Sequence, residues 1–229
     1  MRPVRIIVAA SCVAVSSAAG ASGQAEYAFR WDPAHGGPAS IAQALAALGL
    51  AGKERTTFVV RYIDVARPPG LPEDYVAIGR ERTSDKDRDT MYKLRGPDPP
   101  PGALATWKCP LRGKAETKRE VDIGWTGDAA PRRAHSVSCT VDAPAARALP
   151  KSLDPRPASC TSRMERVRSG DVKIEQWTFP RGQQVFEVSF PGTDDAATLE
   201  RFLTRIVDPL ARHDAVPLHD SKTELGSRC

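Results

Sequence analysis

The sequence lacks the short motifs of several common enzyme classes. It contains no Gly-x-Ser-x-Gly of a serine hydrolase, no His-Glu-x-x-His of a zinc helix and no Gly-x-x-x-x-Gly-Lys loop for phosphate. It also contains no Cys-x-x-Cys pair, so neither a thioredoxin-like site nor a zinc knuckle is predicted. His213 and His219 each precede an aspartate, a pairing that could suggest metal ligands, but both lie in a polar stretch and we interpret them as solvated loop residues.

No apolar run in the sequence is long enough to predict a membrane-spanning helix. The nearest is at the N-terminus, where a basic start and a short apolar run precede small residues. Ala19 and Ala21 fit the small-residue rule for signal-peptide cleavage after Ala21. We therefore expect residues 1–21 to be a signal peptide and residues 22–229 to be one periplasmic or secreted domain. In an alternative interpretation Cys12 carries a lipid.

The excess of positive charge is small. The chain has 33 basic and 28 acidic residues and a formal net charge of +5. Removing the two arginines of the predicted signal peptide lowers this to about +3, which is too little to predict nucleic-acid binding from net charge. We therefore expect no nucleic-acid partner. The sequence does not predict an oligomeric state.

Four cysteines remain in the predicted mature chain: Cys109, Cys139, Cys160 and Cys229. An even number of cysteines in an exported protein predicts two disulfides. Three connectivities are possible, and we favour Cys109–Cys139, joining neighbouring strands, with Cys160–Cys229. The alternative is that these residues are free buried thiols.

Alternation and turn residues predict about nine short strands and two helices. The strands are expected near residues 26–31, 56–65, 75–82, 89–95, 118–125, 135–142, 160–168, 172–179 and 183–190. One helix is predicted at 41–48, with Ser40 in a capping box, and another begins after Thr193 or Asp194 and is kinked or ended by Pro209. No repeat or second domain is evident. The spacing favours antiparallel pairing in an α+β fold.

Charged side chains alternate along many of these strands. Arg80 and Arg82 would share one face of their strand, and Lys93 and Arg95 one face of the next. Further basic residues in predicted strands are Arg30, Arg61, Lys118, Arg166, Arg168 and Lys173. A closed barrel with a charged interior would explain this pattern. A sandwich or half-open sheet with one solvated face would also explain it.

Several short motifs occur in the order that they have in a known superfamily. In chain order they are Glu26-Tyr27-Ala28-Phe29-Arg30 before the first helix, the aspartate-ending strand TTFVVRYIDV, Arg80-Glu81-Arg82, Lys93-Leu94-Arg95-Gly96-Pro97, Lys118-Arg119-Glu120-Val121-Asp122, Arg166-Val167-Arg168, Glu175, Glu187-Val188-Ser189 and Ser221-Lys222. In this order they resemble the CYTH, or triphosphate tunnel metalloenzyme, superfamily. The resemblance spans nearly the whole mature chain and depends on the order of the motifs.

The resemblance implies an eight-stranded antiparallel tunnel that binds a phosphate-rich anion of the triphosphate or polyphosphate type. It assigns contact with the anion to Arg30, Arg80, Arg82, Lys93, Arg95, Arg166, Arg168 and Lys222. It assigns an Mg²⁺ or Mn²⁺ ion, where one binds, to Glu26, Glu120, Asp122 and Glu187. Metal-dependent phosphohydrolase activity would accompany such a site.

The chain departs from the superfamily pattern at two positions. Ala28 and Ser189 stand where the pattern has glutamates. Neither residue can replace a carboxylate on a hard cation. Anion binding is therefore the leading hypothesis, and hydrolysis is secondary. The alternative is a degenerate barrel that acts as a structural or protein-interaction module of the cell envelope.

Overall fold

The structure is a computed structural model that describes residues 23–52, 54–97, 100–128, 130–142, 148–157 and 160–227. The predicted signal peptide, Cys12 and Cys229 lie outside the described residues. No helix in the described part of the chain is both long and apolar enough to cross a membrane.

All nine predicted strands are present in the described residues, with one very short additional strand. The strands are β1 (Gln24–Trp31), β2 (Arg55–Asp64), β3 (Val76–Thr83), β4 (Arg88–Gly96), β5 (Glu116–Trp125), β6 (Arg132–Asp142), β7 (Arg156–Pro157), β8 (Ser162–Ser169), β9 (Val172–Thr178) and β10 (Gln184–Thr193). The helices are α1 (Ile41–Ala47), α2 (Ala196–Phe202), α3 (Asp208–Ala211) and α4 (Lys222–Ser227).

Nine of these strands close into a barrel. Their order around the ring is β3-β4-β6-β5-β1-β10-β9-β8-β2, and pairing of β2 with β3 completes it. The short β7 adds to one end of β2. The predicted eight-stranded antiparallel barrel is corrected in two respects, because the ring has nine strands and β1 is parallel to β5. Alternation in the sequence indicates which side chains face inward, but it does not indicate the direction of a neighbouring strand.

Strand β1 shows how the two faces of the barrel differ. Tyr27, Phe29 and Trp31 are at most 1% exposed and face outward, where they belong to an apolar core with the buried sides of α1, α2 and α3. The alternate residues Glu26, Ala28 and Arg30 face the interior. Burying an aromatic side chain contributes about 1.5–3 kcal/mol, so this outer core anchors the strand and fixes which charges point inward.

A second outer core covers β4 and β6. Leu94, Val137 and Cys139 are fully buried there beneath the segment that precedes β5. The predicted disulfide Cys109–Cys139 is confirmed, with an S–S distance of 2.06 Å. Cys109 lies in that segment rather than in a strand, so the bond fastens the covering segment to the barrel. Cys160 is also disulfide-bonded, and its predicted partner Cys229 lies outside the described residues.

The helices confirm the predicted caps in part. Ser40 accepts a hydrogen bond from the Gln43 backbone N–H at 3.2 Å. Helix α2 is capped by Asp195 rather than by the predicted Thr193 or Asp194. The predicted kink is a π-helical turn, Leu203–Val207, which joins α2 to α3 just before Pro209. Proline cannot donate the regular helical hydrogen bond, and the wider turn accommodates that loss.

The C-terminal stretch, which the sequence predicts to be a polar tail, folds against one end of the barrel. The Leu218 backbone N–H donates to the Arg30 carbonyl at 2.8 Å. Helix α4 follows, and Leu225 is only 7% exposed in an apolar cluster that includes Tyr62. Gly226 lies so close to the Tyr62 ring that a Cβ atom there would stand 2.6 Å from it. The tail is therefore part of the barrel's structure.

Candidate anion and metal site

The barrel encloses a charged cavity of about 480 Å³, to which all nine strands of the ring and α4 contribute. Ten basic side chains line it against seven acidic ones, an excess of three positive charges. The basic residues are Arg30, Arg80, Arg82, Lys93, Arg95, Lys118, Arg166, Arg168, Lys173 and Lys222. All eight predicted anion-binding residues and all four predicted metal ligands line this one cavity.

A second cavity, of about 700 Å³, adjoins the charged cavity and contains the turn between β3 and β4. The two cavities share Arg82, Asp142, Arg166 and Arg168. We call the charged cavity the tunnel and the second cavity its mouth. Helix α4 contributes Lys222 to the tunnel but nothing to the mouth.

Three of the four predicted metal ligands converge. Glu26, Glu120 and Asp122 each offer a carboxylate oxygen, and these oxygens lie within 4.8 Å of one another. We call these residues the carboxylate trio. Strand β1 supplies the first and β5 the other two, and the parallel pairing of these strands places Glu26 directly beside Asp122. The trio has the oxygen ligands that Mg²⁺ and Mn²⁺ prefer.

Cations of the chain neutralise every member of the trio. Asp122 contacts Lys93 at 3.0 Å and Arg95 at 3.1 Å. Glu26 contacts Lys173, and Glu120 contacts Lys118. These contacts and the burial of each carboxyl group together determine how readily it ionises.

The pKa values within the trio diverge. Burial opposes ionisation of Glu26, but the charges of Lys173 and Lys222 outweigh it and lower its pKa to about 2. Burial also opposes ionisation of Asp122, yet its basic neighbours lower its pKa overall. For Glu120 burial dominates, so its pKa is raised. Glu120 is therefore the member of the trio that most readily holds a proton.

The fourth predicted metal ligand, Glu187, belongs to a different group. It contacts Arg30 at 2.5 Å and Lys222 at 2.6 Å. Lys222 also contacts Glu175 at 2.8 Å, and Arg166 contacts Glu175 at 2.6 Å. We call Glu175 and Glu187 the bridged pair, because one ammonium group joins them. Burial opposes the charge of Glu175, but Lys222 and Arg166 hold its pKa well below the ordinary value.

Arginines dominate the region between the tunnel and its mouth. Asp89, buried on β4, contacts Arg80 at 3.2 Å and Arg82 at 2.5 Å. The guanidinium groups of Arg82 and Arg166 lie 4.8 Å and 5.2 Å from the centre of the Phe58 ring, within range of cation–π attraction. Burial and repulsion from Arg80 lower the pKa of Arg82 to about 10. Among the described residues Arg168 has no ion-pair partner, although it lines both cavities.

Sequence reasoning missed several charged residues of the site, including four that form ion pairs in it. Lys118 and Lys173 were recognised as strand residues but not assigned to the site, and Asp89 and Glu175 were not assigned to it either. Lys118 stands two residues before Glu120, and Lys173 two residues before Glu175. This spacing places each lysine on the same face as its acidic neighbour, so it was the available signal.

The two departures from the superfamily pattern lie directly opposite each other. Ala28 on β1 pairs with Ser189 on β10. The Ser189 hydroxyl donates a hydrogen bond to Glu26 at 3.3 Å. The two positions that lack carboxylates, Ala28 and Ser189, are therefore neighbours in the tunnel wall beside the carboxylate trio.

No protein-family model and no curated protein matches the sequence. Solved structures match in fold. The PH1819 protein of Pyrococcus horikoshii OT3 aligns with a TM-score of 0.50 and 9% identity, over 87% of this chain and 97% of its own. The chain shares that protein's fold.

Two further structures align with TM-scores of 0.48. They are a candidate adenylate cyclase from Vibrio parahaemolyticus (13% identity, over 89% of this chain and 98% of its own) and the PH1012 protein of Pyrococcus horikoshii OT3 (12% identity, over 88% and 98%). At these identities the likeness concerns the fold alone.

Proposed function

We propose that the tunnel binds a phosphate-rich anion of the triphosphate or polyphosphate type. The observation that carries this proposal is the convergence of ten basic side chains on one enclosed cavity, where they exceed the acidic side chains by three. Positive charges held together in a partly buried space attract a multiply charged anion strongly. The resemblance of the strand motifs to the CYTH superfamily agrees with this proposal.

The basic residues suit phosphate in two ways. Arginine presents a planar fork that binds two phosphate oxygens at once, and lysine supplies a compact charge that shifts easily between oxygens. We assign contact with the anion to Arg30, Arg80, Arg82, Lys93, Arg95, Arg166, Arg168 and Lys222, the residues named by the sequence, and add Lys118 and Lys173.

A divalent ion fits the carboxylate trio. Three oxygens within 4.8 Å of one another match the preference of Mg²⁺ and Mn²⁺ for carboxylate ligands. Such an ion would neutralise negative charge on the phosphates, which is the main requirement of phosphoryl-transfer catalysis. Glu187 is not assigned to this ion, because it does not belong to the cluster of converging carboxylates and pairs instead with Arg30 and Lys222. We therefore propose hydrolysis as a second activity, which depends on the divalent ion and is tested once anion binding has been measured.

The proposed location is outside the cytoplasm. The disulfide between Cys109 and Cys139 is typical of an oxidising compartment, and it agrees with the signal peptide expected from the sequence. Nucleoside triphosphates are mainly cytoplasmic, so inorganic polyphosphate or a phosphorylated glycan suits an exported protein better.

Calorimetric titration with inorganic tripolyphosphate in the presence of EDTA tests binding. We expect the wild-type protein to bind and Arg82→Ala to lose at least about tenfold in affinity, since a charge-assisted hydrogen bond contributes about 1.5–3 kcal/mol. Arg61→Ala is the matched control, because Arg61 lies on β2 outside the tunnel and its one ion pair among the described residues is with Glu81 at 3.7 Å. No binding by the wild type would favour the structural or protein-interaction module.

Phosphate release from tripolyphosphate with Mg²⁺ or Mn²⁺ tests hydrolysis. Turnover that disappears in Glu120→Ala while metal-free binding persists would establish a metal-dependent enzyme. Binding without turnover in the wild type would establish a binding protein instead.

A further inference from the structure

The cations that neutralise the carboxylate trio are also assigned to the anion. The contacts are Lys173 with Glu26, Lys118 with Glu120, and Lys93 and Arg95 with Asp122. A divalent ion must approach a carboxylate oxygen to about 2.0–2.6 Å. An ammonium group on the same oxygen repels such an ion and blocks its approach to that oxygen. Each of these cations therefore competes with the metal for the trio.

Lys173 shows how a cation of the chain reaches the trio. On the inner face Lys173 on β9 stands beside Ser189 on β10, which stands beside Ala28 on β1. The Lys173 side chain spans β10 to contact Glu26, two residues before Ala28 on the same face. Small side chains at Ser189 and Ala28 leave this path open. The Lys173 side chain thus passes the two positions, Ser189 and Ala28, at which the chain departs from the superfamily pattern.

We propose, resting on the proposed function, that Lys93, Lys118 and Lys173 are exchangeable counter-ions of the carboxylate trio. Binding of the anion draws their ammonium groups from the carboxylates to the anion's oxygens, and this raises the affinity of the trio for a divalent ion. By thermodynamic linkage the divalent ion raises the affinity for the anion by the same factor. Lysine suits this role, because its flexible stem carries a point charge with three rotatable donors.

The neighbouring strand offers a matched control. Arg168 on β8 pairs directly with Lys173 on β9 and lines the same tunnel. Lys173 contacts a member of the trio, whereas Arg168 contacts no carboxylate among the described residues. Loss of either residue removes one positive charge from the tunnel. Only loss of Lys173 removes a competitor from a metal-binding oxygen.

The experiment compares Lys173→Met with Arg168→Met in the mature protein. Tripolyphosphate affinity is measured by calorimetry in EDTA, and Mn²⁺ affinity is measured without anion by electron paramagnetic resonance. We expect both variants to bind tripolyphosphate more weakly. We expect Lys173→Met alone to bind Mn²⁺ about tenfold more tightly than the wild type, within the usual range of coupling between sites.

In Lys173→Met, weaker binding of tripolyphosphate together with tighter binding of Mn²⁺ would indicate exchange of the counter-ion. Damage to the fold would weaken the binding of both. Lys173→Arg keeps the charge and is expected to keep Mn²⁺ affinity near the wild-type value. Lys118→Met repeats the test at Glu120, and it replaces Lys173→Met should that variant fail to fold.

Coupling itself is measured as Mn²⁺ affinity with and without sulfate, an anion that binds Mn²⁺ weakly in water. We expect sulfate to strengthen Mn²⁺ binding to the wild type.

Two results would overturn the exchange. One is equal Mn²⁺ affinity in Lys173→Met and Arg168→Met, and the other is Mn²⁺ affinity that sulfate leaves unchanged. Neither result affects the proposed function, which fails only when the wild type does not bind tripolyphosphate in EDTA. The two failures are therefore distinguishable in the same set of titrations.

Discussion

Two groups of carboxylates lie in the same tunnel and are neutralised differently. In the bridged pair a single ammonium, Lys222, joins Glu175 and Glu187, whose side chains are each 3% exposed. In the carboxylate trio separate cations serve separate carboxylates, and the side chains are exposed to different degrees, 24% for Glu26, 16% for Asp122 and 6% for Glu120. A buried charge cannot lose its partner without a large cost, whereas a partly exposed one can exchange it. We infer that the bridged pair maintains the fold and that the trio is available to a ligand.

The largest expected effect comes from removing the cation of the bridged pair. In Lys222→Met both Glu175 and Glu187 lose an ammonium partner while they remain buried. We expect the free energy of unfolding to fall by about 3–5 kcal/mol, the usual effect of breaking a buried ion pair. Urea unfolding at pH 7 measures this change. A loss below about 1 kcal/mol would contradict the structural role of the pair.

A smaller effect is expected when Glu26 loses its partner. The folded-state pKa of Glu26 is about 2, against an ordinary value of 4.5, so its contribution to stability is complete above pH 4.5 and is lost as the pH falls towards 2. Lys173→Met removes part of this contribution. We expect a loss of roughly 2 kcal/mol at pH 7 that shrinks to nothing near pH 2. Unfolding curves of the wild type and of Lys173→Met between pH 7 and pH 2 measure this loss of stability. A loss that stays the same at every pH would contradict the role of the Glu26 charge.

Within the trio itself, Glu120→Gln is expected to have little effect on stability. Burial raises the pKa of Glu120, so its charged form is unfavourable in the folded protein, and whatever stability the protonated form contributes is lost as the pH rises. We expect stability at pH 7 to change by less than about 1 kcal/mol. The same variant should bind Mn²⁺ more weakly. A large loss of stability would indicate that Glu120 has a structural role like that of the bridged pair.

The smallest effect is expected outside the barrel. Arg55 on β2 contacts Glu165 on β8 at 3.1 Å, and the arginine side chain is more than half exposed. Arg55→Met should change stability by less than about 1 kcal/mol, because exposed ion pairs contribute little. Adding salt should reduce even this difference. Thermal unfolding in low and high salt checks both statements.

The sequence predicted the tunnel lining better than the contacts within it. Alternation placed Arg80 and Arg82 on one face, and the structure confirms that both line the tunnel. Alternation contains no information on which strand is the neighbour. For that reason the parallel β1–β5 pairing, which brings Glu26 beside Asp122, could not be read from the residues.

Contacts made by long side chains were also beyond sequence reasoning. Lys173 reaches Glu26 across an intervening strand, and Lys222 reaches two carboxylates from a helix that the sequence predicts as a polar tail. Helix α4 has only six residues, too few to show a helical repeat of apolar positions. Its position depends on Leu225 and Gly226, whose packing against Tyr62 is decided by tertiary contacts.

The pairing of β2 with β3 has a consequence for partners. Along the described residues it completes the ring, so each of the nine strands of the barrel has a paired neighbour on both sides. A closed ring disfavours the addition of a strand from a partner or from a second copy of the chain, and among the described strands the two-residue β7 is the open end of the sheet. We therefore expect a protein partner to recognise the side chains of the loops, helices and outer wall.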